Sequence, residues 1–240
     1  DGLVLRDIAS VERDLSATAR ARSGRSLVEV LAALHDVDPA AVGLGDLGRT
    51  EGYIARQLKR WHGQFDKSKT RELPVVDEVH DQLVRAIPEQ GPAAIVHGDY
   101  RLDNCLIGPT GDVVAVLDWE LCTLGDPMAD VGLLMCYWSE PGDKSPTLGA
   151  PTAADGMATR DELLDAYAAS SGRGLSDINF YVAFGYWKLA CILEGVYARY
   201  VGGSMGDRDP SSFDGFARQV EDLAGHAATV LAERPYRDRA

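Results

Sequence analysis

Nowhere in the 240 residues is there an apolar run of the roughly 18 residues that a bilayer-spanning helix requires. No spanning helix and no membrane partner are expected. The first residues, DGLVLRDIAS, lack the basic start and apolar centre of a signal peptide and lack an initiator methionine. The chain therefore reads as a mature, cut or trimmed one, placed in the cytoplasm. Cysteine is sparse: Cys105, Cys122, Cys136 and Cys191 are scattered, with no CxxC pair and no histidine at metal spacing. That pattern argues against a disulfide framework or a zinc site and for reduced thiols in a cytosolic protein. Positive charge is also short, with Lys+Arg 24 against Asp+Glu 37 and a formal net charge of −13. Such a surface repels polyanions, so nucleic acid is not an expected partner. A cationic substrate, or an anionic one carried with magnesium, suits it better, and so does ordinary solvated surface charge.

What is present begins with helices. Hydrophobic residues make up 45% of the chain, enough for a sizeable core in one or two domains. In RSLVEVLAALHD (25–36), Leu27, Val30, Leu31 and Leu34 recur at helical spacing, with His35 as a capping or packing residue near the end. Further helices are expected over 49–65 and over 75–87, the latter stopped by Pro88. The pattern then shifts to short apolar or β-branched runs: AAIVH (93–97), NCLIG (104–108) and VVAVLDW (113–119). The last two flank PTGD, a turn signal, and predict a β-hairpin. In GDPMADVGLLMCYW, Asp126 reads as a helix cap with Pro127 at the first helical position. Residues 139–157 are rich in Pro, Gly, Ser and Thr and read as a long surface loop. Helices over 159–170, 176–201 and 211–233 follow. The middle one is apolar nearly all round, interrupted by Lys188, Glu194 and Arg199, and reads as a buried central helix. Trp119, Tyr137, Trp138 and Tyr186 are expected in the core. The fold class is mainly α with a small β-hairpin.

Chemistry concentrates in IVHGDYRLDN (95–104), where Ile95 and Val96 end a buried strand and polar residues follow at once. Asp99 and Asn104 lie on one loop, and Asp118 lies at the end of the returning hairpin strand. A hairpin brings its ends together, so Asp118 should approach Asn104. One amide and one carboxylate oxygen, with phosphate oxygens and water, suit magnesium, which takes few protein ligands and an octahedral oxygen shell. Asp99 is then left to face a substrate hydroxyl, the division of labour that phosphoryl transfer needs.

His97-x-Asp99-x-x-x-x-Asn104 matches the kinase catalytic-loop pattern, and Asp118 falls where the metal-binding aspartate of the next strand belongs. With Gly98 in second place, HGDYRLDN followed by LDWELCTLGDPMADVG resembles the aminoglycoside phosphotransferase family of small-molecule kinases. Within it, the variant is most similar to the kinase-like domains related to acyl-CoA dehydrogenase family members 10 and 11. The motifs lie between about 95 and 135, and LAALHDVD (31–38) also resembles an early helix of that family.

The resemblance implies ATP as co-substrate, Mg2+ as cofactor and a small-molecule hydroxyl as acceptor. It implies that Asp99 is the catalytic base or hydroxyl orienter and that Asn104 and Asp118 bind magnesium. Arg101 would steady the transferring phosphate. His97, Asp126 and Asp130 would support the loop, and Glu120 and Asp103 are each either substrate contacts or surface carboxylates. The family's nucleotide lobe is not found: no five-stranded lobe with a loop over the phosphates is read ahead of residue 95, and the first lysine is Lys59. Residues 1–240 therefore resemble a helical C-terminal lobe without its N-terminal β lobe, expected to turn over little or not at all alone. Hydroxyacyl-CoA-like and aminoglycoside-like acceptors compete, and the resemblance favours the first. The alternative is a non-catalytic, pseudokinase-like binding module that forms a homodimer through a face left bare.

Overall fold

A computed structural model of the chain describes residues 2–143, 150–203 and 214–233. Local hydrogen bonding sets where its helices begin. The first, α1 (Ile8–Asp14), opens on a capping box between Asp7 and Ser10. At seven residues it is too short to show an apolar period, and the sequence reading has no helix there. α2 (Ala17–Asp36) starts well before the expected 25, because Ser16 caps it by accepting from the Ala19 N–H at 3.2 Å. The buried face of its added turns includes Ala19, Ser23 and Gly24, small residues with little hydropathic signal. α3 (Tyr53–Ser68) begins after Gly52, later than expected, and α4 (Pro74–Arg85) carries proline at its first position.

The β content is two small sheets instead of one hairpin. β1 (Ala94–Val96) pairs antiparallel with β4 (Thr123–Gly125), with Val96 opposite Thr123. β2 (Cys105–Ile107) and β3 (Val113–Val116) form the expected hairpin, with Cys105 opposite Val116. Leu3 adds a bridge to Ile107. β4 is three residues long and shows no alternation, which is why the second sheet is not visible in the sequence. The two registers have one consequence for the site: residues 97–104 and 117–122 leave and re-enter neighbouring ladder ends, so the segments run side by side.

α5 (Met128–Tyr137), α6 (Arg160–Ser171), α7 (Ile178–Val201) and α8 (Asp214–Ala232) complete the fold. α7 is the central helix, packing against α3, α4, α5 and α8. Its buried Glu194 accepts from the Thr70 N–H at 2.7 Å and from Arg71 at 2.8 Å, so the charge is compensated. Pro127 itself occupies the cap position of α5, one residue later than expected, and Asp126 still accepts from the Met128 N–H at 3.1 Å.

Two expectations are corrected. The described parts of 139–157 are not all surface loop, since Pro151 and Thr152 are buried and the Thr152 hydroxyl both accepts from and donates to the Ser139 backbone. Residues 144–149 and 211–213 lie outside the described residues. Trp119 is not core but 42% exposed, because its indole N–H reaches the Val116 carbonyl and its ring lies over His97. Trp138 is fully buried and Tyr186 packs half-buried against the core. Among the described residues no helix is long and apolar enough to cross a membrane.

Candidate active site

The loop after β1 turns sharply at Gly98, whose φ of +85° lies in the region that favours glycine. A Cβ there would stand 2.8 Å from the Leu121 carbonyl oxygen, so the loop also presses against the segment after Asp118. Asp130, buried on α5, holds the turn from beneath: its carboxylate accepts from the backbone N–H groups of His97 at 2.7 Å and Gly98 at 2.8 Å. Behind Asp130 stands His35 of α2, 3.4 Å away, itself hydrogen-bonded to the Tyr167 hydroxyl at 2.8 Å.

His97 joins the two segments. Its Nε2 lies 2.8 Å from the Leu117 carbonyl, which can only accept, and its Nδ1 lies 3.3 Å from the Asp99 N–H, which can only donate. Those partners assign the neutral tautomer with the proton on Nε2. Asn104 donates from Nδ2 to the Asp99 carbonyl at 2.8 Å and to the Asp99 carboxylate at 3.1 Å. The Leu117 N–H donates to the Asn104 carbonyl at 2.8 Å, which brings Asp118 beside Asn104 through the backbone.

Asp118 takes a left-handed conformation, φ +63°, and is exposed. An aspartate tolerates this better than most residues. The donor set fits a hard divalent cation. Asn104 makes both of its side-chain bonds to Asp99 through the nitrogen, leaving an amide oxygen; Asp118 is exposed and supplies a carboxylate; and the partial exposure leaves room for water and phosphate. Another group, His62 with Asp66 and Asp77, also has ligand atoms within 4.8 Å of one another. It lies on α3 and α4, where His62 Nε2 and the Asp77 carboxylate are already hydrogen-bonded to each other at 2.9 Å.

Tyr137, expected in the core, instead reaches Asp99. Burial first, and the Asp99 charge second, raise its hydroxyl above the ordinary range, so it remains a hydrogen-bond donor to that carboxylate. Arg101 lies over the Tyr137 ring at 4.7 Å and pairs with Asp103. Arg101, Asp103 and Tyr137 form one wall of a cavity of about 240 Å³ whose remaining lining includes Leu102, Leu134 and Leu193. Glu120 is exposed on the turn Trp119–Leu121. Asp126 does not join the loop. Its oxygens are taken by the Tyr181 hydroxyl at 2.7 Å and the Met128 N–H, and it braces α5 against α7.

A mainly helical chain with an aspartate–asparagine loop after β1 and an aspartate after β3 has a kinase-like phosphotransferase fold. Residues 3–176 match the phosphotransferase enzyme family, APH, and the chain belongs to that family. It is 34% identical over 206 residues to acyl-CoA dehydrogenase family member 11 of Gallus gallus, covering 82% of this chain and 26% of that protein. It is 33% identical over 216 residues to family member 10 of Mus musculus, covering 88% of this chain and 20% of that one. The chain thus spans a minor part of the curated relatives it matches. Among solved structures, a candidate aminoglycoside phosphotransferase of Ralstonia eutropha JMP134 superposes with a TM-score of 0.81 at 36% identity, over 96% of this chain and 70% of that one.

Proposed function

We propose that the chain is the catalytic-loop lobe of a kinase that transfers the γ-phosphoryl group of ATP to a hydroxyl of a small molecule. The observation that carries this reading is the double hold on Asp99, whose carboxylate takes hydrogen bonds from Asn104 and Tyr137 while staying partly exposed. A carboxylate so oriented can align an acceptor hydroxyl and take its proton, a contribution of about 10²–10⁴ in rate. Asn104 and Asp118 would hold Mg2+, which when bound with the nucleotide neutralises charge on the phosphates. His97 and Asp130 keep the loop in shape, and Arg101 offers a cation beside Asp99.

The cavity beside Arg101 favours an acceptor with an apolar arm, such as a hydroxyacyl thioester, over an aminoglycoside. Ammonium groups would lose their water against Leu102, Leu134, Leu189, Ile192 and Leu193. The one carboxylate on that wall, Asp103, is already paired with Arg101. Kinship with chains named as acyl-CoA dehydrogenase family members points the same way.

The test is Mg·ATP turnover with hydroxyacyl-CoA and aminoglycoside acceptors, beside Asp99→Asn. A phosphorylated hydroxyacyl product that disappears in the variant supports the reading. Preference for the aminoglycoside overturns the acceptor, and turnover indifferent to Asp99→Asn overturns the role of Asp99. An obligate dimer that binds no Mg·nucleotide would be a non-catalytic module, whereas a monomer without turnover calls for the same comparison with an N-terminal lobe restored.

A further inference from the structure

Lys188 lies in the middle of α7, where Phe184, Gly185, Trp187, Ala190 and Cys191 are its buried neighbours along the helix. Its side chain is itself buried, and an ammonium stripped of water persists only where partners hold it. Lys188 Nζ donates to the Gly98 carbonyl oxygen at 3.0 Å, and the Trp61 ring faces it at 5.5 Å. That carbonyl shares a peptide plane with the Asp99 N–H, which donates to His97 Nδ1. Both polar ends of the Gly98–Asp99 plane are therefore gripped, one by Lys188 and one by His97. Asp130 grips the plane before it.

The grip matters because Gly98, at φ +85°, has no side chain to resist rotation of the peptide unit that follows it. Rotating that unit would swing the carbonyl and the Asp99 N–H to new directions and re-aim the Asp99 carboxylate. We propose that Lys188 is a positioning residue for the phosphotransfer: it locks the Gly98–Asp99 peptide plane and so sets the direction in which Asp99 leaves the loop. Its kinetic part rests on the function proposed above, whereas the lock itself does not.

Lys188 acts through the loop backbone and not on the reacting atoms. Burial lowers its hold on its proton, while Asp130 on α5 and Asp99 on the loop favour the charged form. Arg60 on α3 opposes them, and Cys136 on α5 adds a smaller effect in their direction. The two nearby carboxylates thus help to keep the donor charged in a place that otherwise disfavours charge.

Lys188→Met fills similar space without a donor, and Lys188→Arg restores a charged donor. Amide hydrogen exchange is read residue by residue, with turnover followed in parallel. The lock predicts that Lys188→Met speeds exchange at Gly98 and Asp99 by about tenfold or more while α8 keeps its wild-type rates. Turnover should fall through kcat with KM unchanged, and Lys188→Arg should recover part of both effects. Unchanged exchange at 97–99 in folded Lys188→Met overturns the proposal whatever the turnover. A wild-type chain without turnover counts against the phosphotransfer reading alone, because the exchange pattern needs no substrate. If Lys188→Met does not fold, the nitrogen resonance of the wild-type Lys188 ammonium decides. Protons protected from solvent and correlated with Gly98 support the lock, and a freely exchanging ammonium overturns it.

Discussion

The side-chain amide of Asn104 holds Asp99 at two points, Nδ2 standing 2.8 Å from its carbonyl oxygen and 3.1 Å from its carboxylate. Only the nitrogen end can make these bonds, so the amide has one orientation and its oxygen faces away from Asp99. Asn104→Asp would remove both donors and set a second carboxylate against the first, which pushes one of the pair to hold a proton. Turnover in the variant is expected to fall by about a hundredfold or more. Asn104→Ala, which deletes the donor without adding charge, should retain the Asp99 loop less rigidly but without that repulsion. Wild-type turnover in Asn104→Asp would remove this pair from the mechanism.

The cavity beside Arg101 yields a prediction about selectivity. Leu193 on α7 lines it, and tryptophan there would take up part of the 240 Å³, whose lining includes neither Asp99 nor Asn104. For Leu193→Trp we expect the KM for an apolar-chain acceptor to rise about tenfold or more, the scale of a few lost methylene contacts. Nucleotide affinity should not change. Measured KM values for both substrates check this, and an acceptor KM that does not move would place the acceptor elsewhere.

The parts of the fold and site that were legible are those whose signal is local. α7 is long and apolar over many turns, and HGDYRLDN carries its chemistry in eight consecutive residues, so both signals are local. β4 has three residues and no period, and α1 is announced only by the Asp7–Ser10 cap. Tyr137 sits on a helix that is apolar nearly all round, and only the packing of α5 beside the loop brings its hydroxyl to Asp99. Lys188 stands out as a charge in an apolar helix, yet its partner Gly98 lies 90 residues away in the chain. Trp119 shows the opposite failure: composition places an indole in the core, and a hydrogen bond to Val116 keeps it at the surface. Asp126 reads as part of the loop's support, but its bonds run to Tyr181 and Met128.

Asp126 also gives a pH dependence. Burial raises its carboxyl above the ordinary aspartate value of 3.8, and the hydrogen bonds from Tyr181 and Met128 only partly offset that. Between the unfolded and the raised folded value, the folded state binds more protons than the unfolded one. Stability from this residue is therefore greatest at the acid end of the window and weakens as pH rises through it. Asp126→Asn keeps an oxygen for the Met128 N–H and carries no charge to bury. The melting temperature of the variant relative to wild type is expected to rise as pH goes from below 3.8 towards neutrality. A difference that is flat with pH would show that the ionised carboxylate is fully compensated in the fold.

Gly98 and Gly43 together separate backbone strain from crowding. Both have positive φ, +85° and +75°. A Cβ on Gly43 would meet nothing within 4 Å, whereas one on Gly98 would stand 2.8 Å from the Leu121 carbonyl oxygen and 3.0 Å from the Leu121 Cβ. Gly43→Ala is therefore expected to carry conformational strain alone, about 1 kcal/mol, with turnover unchanged. Gly98→Ala carries the strain and must also push apart the two segments that hold Asp99 and Asp118. Its cost should reach about 2–3 kcal/mol or more, a drop in Tm of roughly 4–12 °C for a chain of this size. Turnover should fall further than the lost folded fraction explains, because the separation between the loop and the Leu117–Cys122 segment changes even in molecules that stay folded. Thermal melting of both variants beside wild type, with turnover normalised to folded protein, makes the comparison. Equal losses of stability in the two variants, with normalised turnover intact in Gly98→Ala, would mean that the close approach to Leu121 has no part in shaping the site.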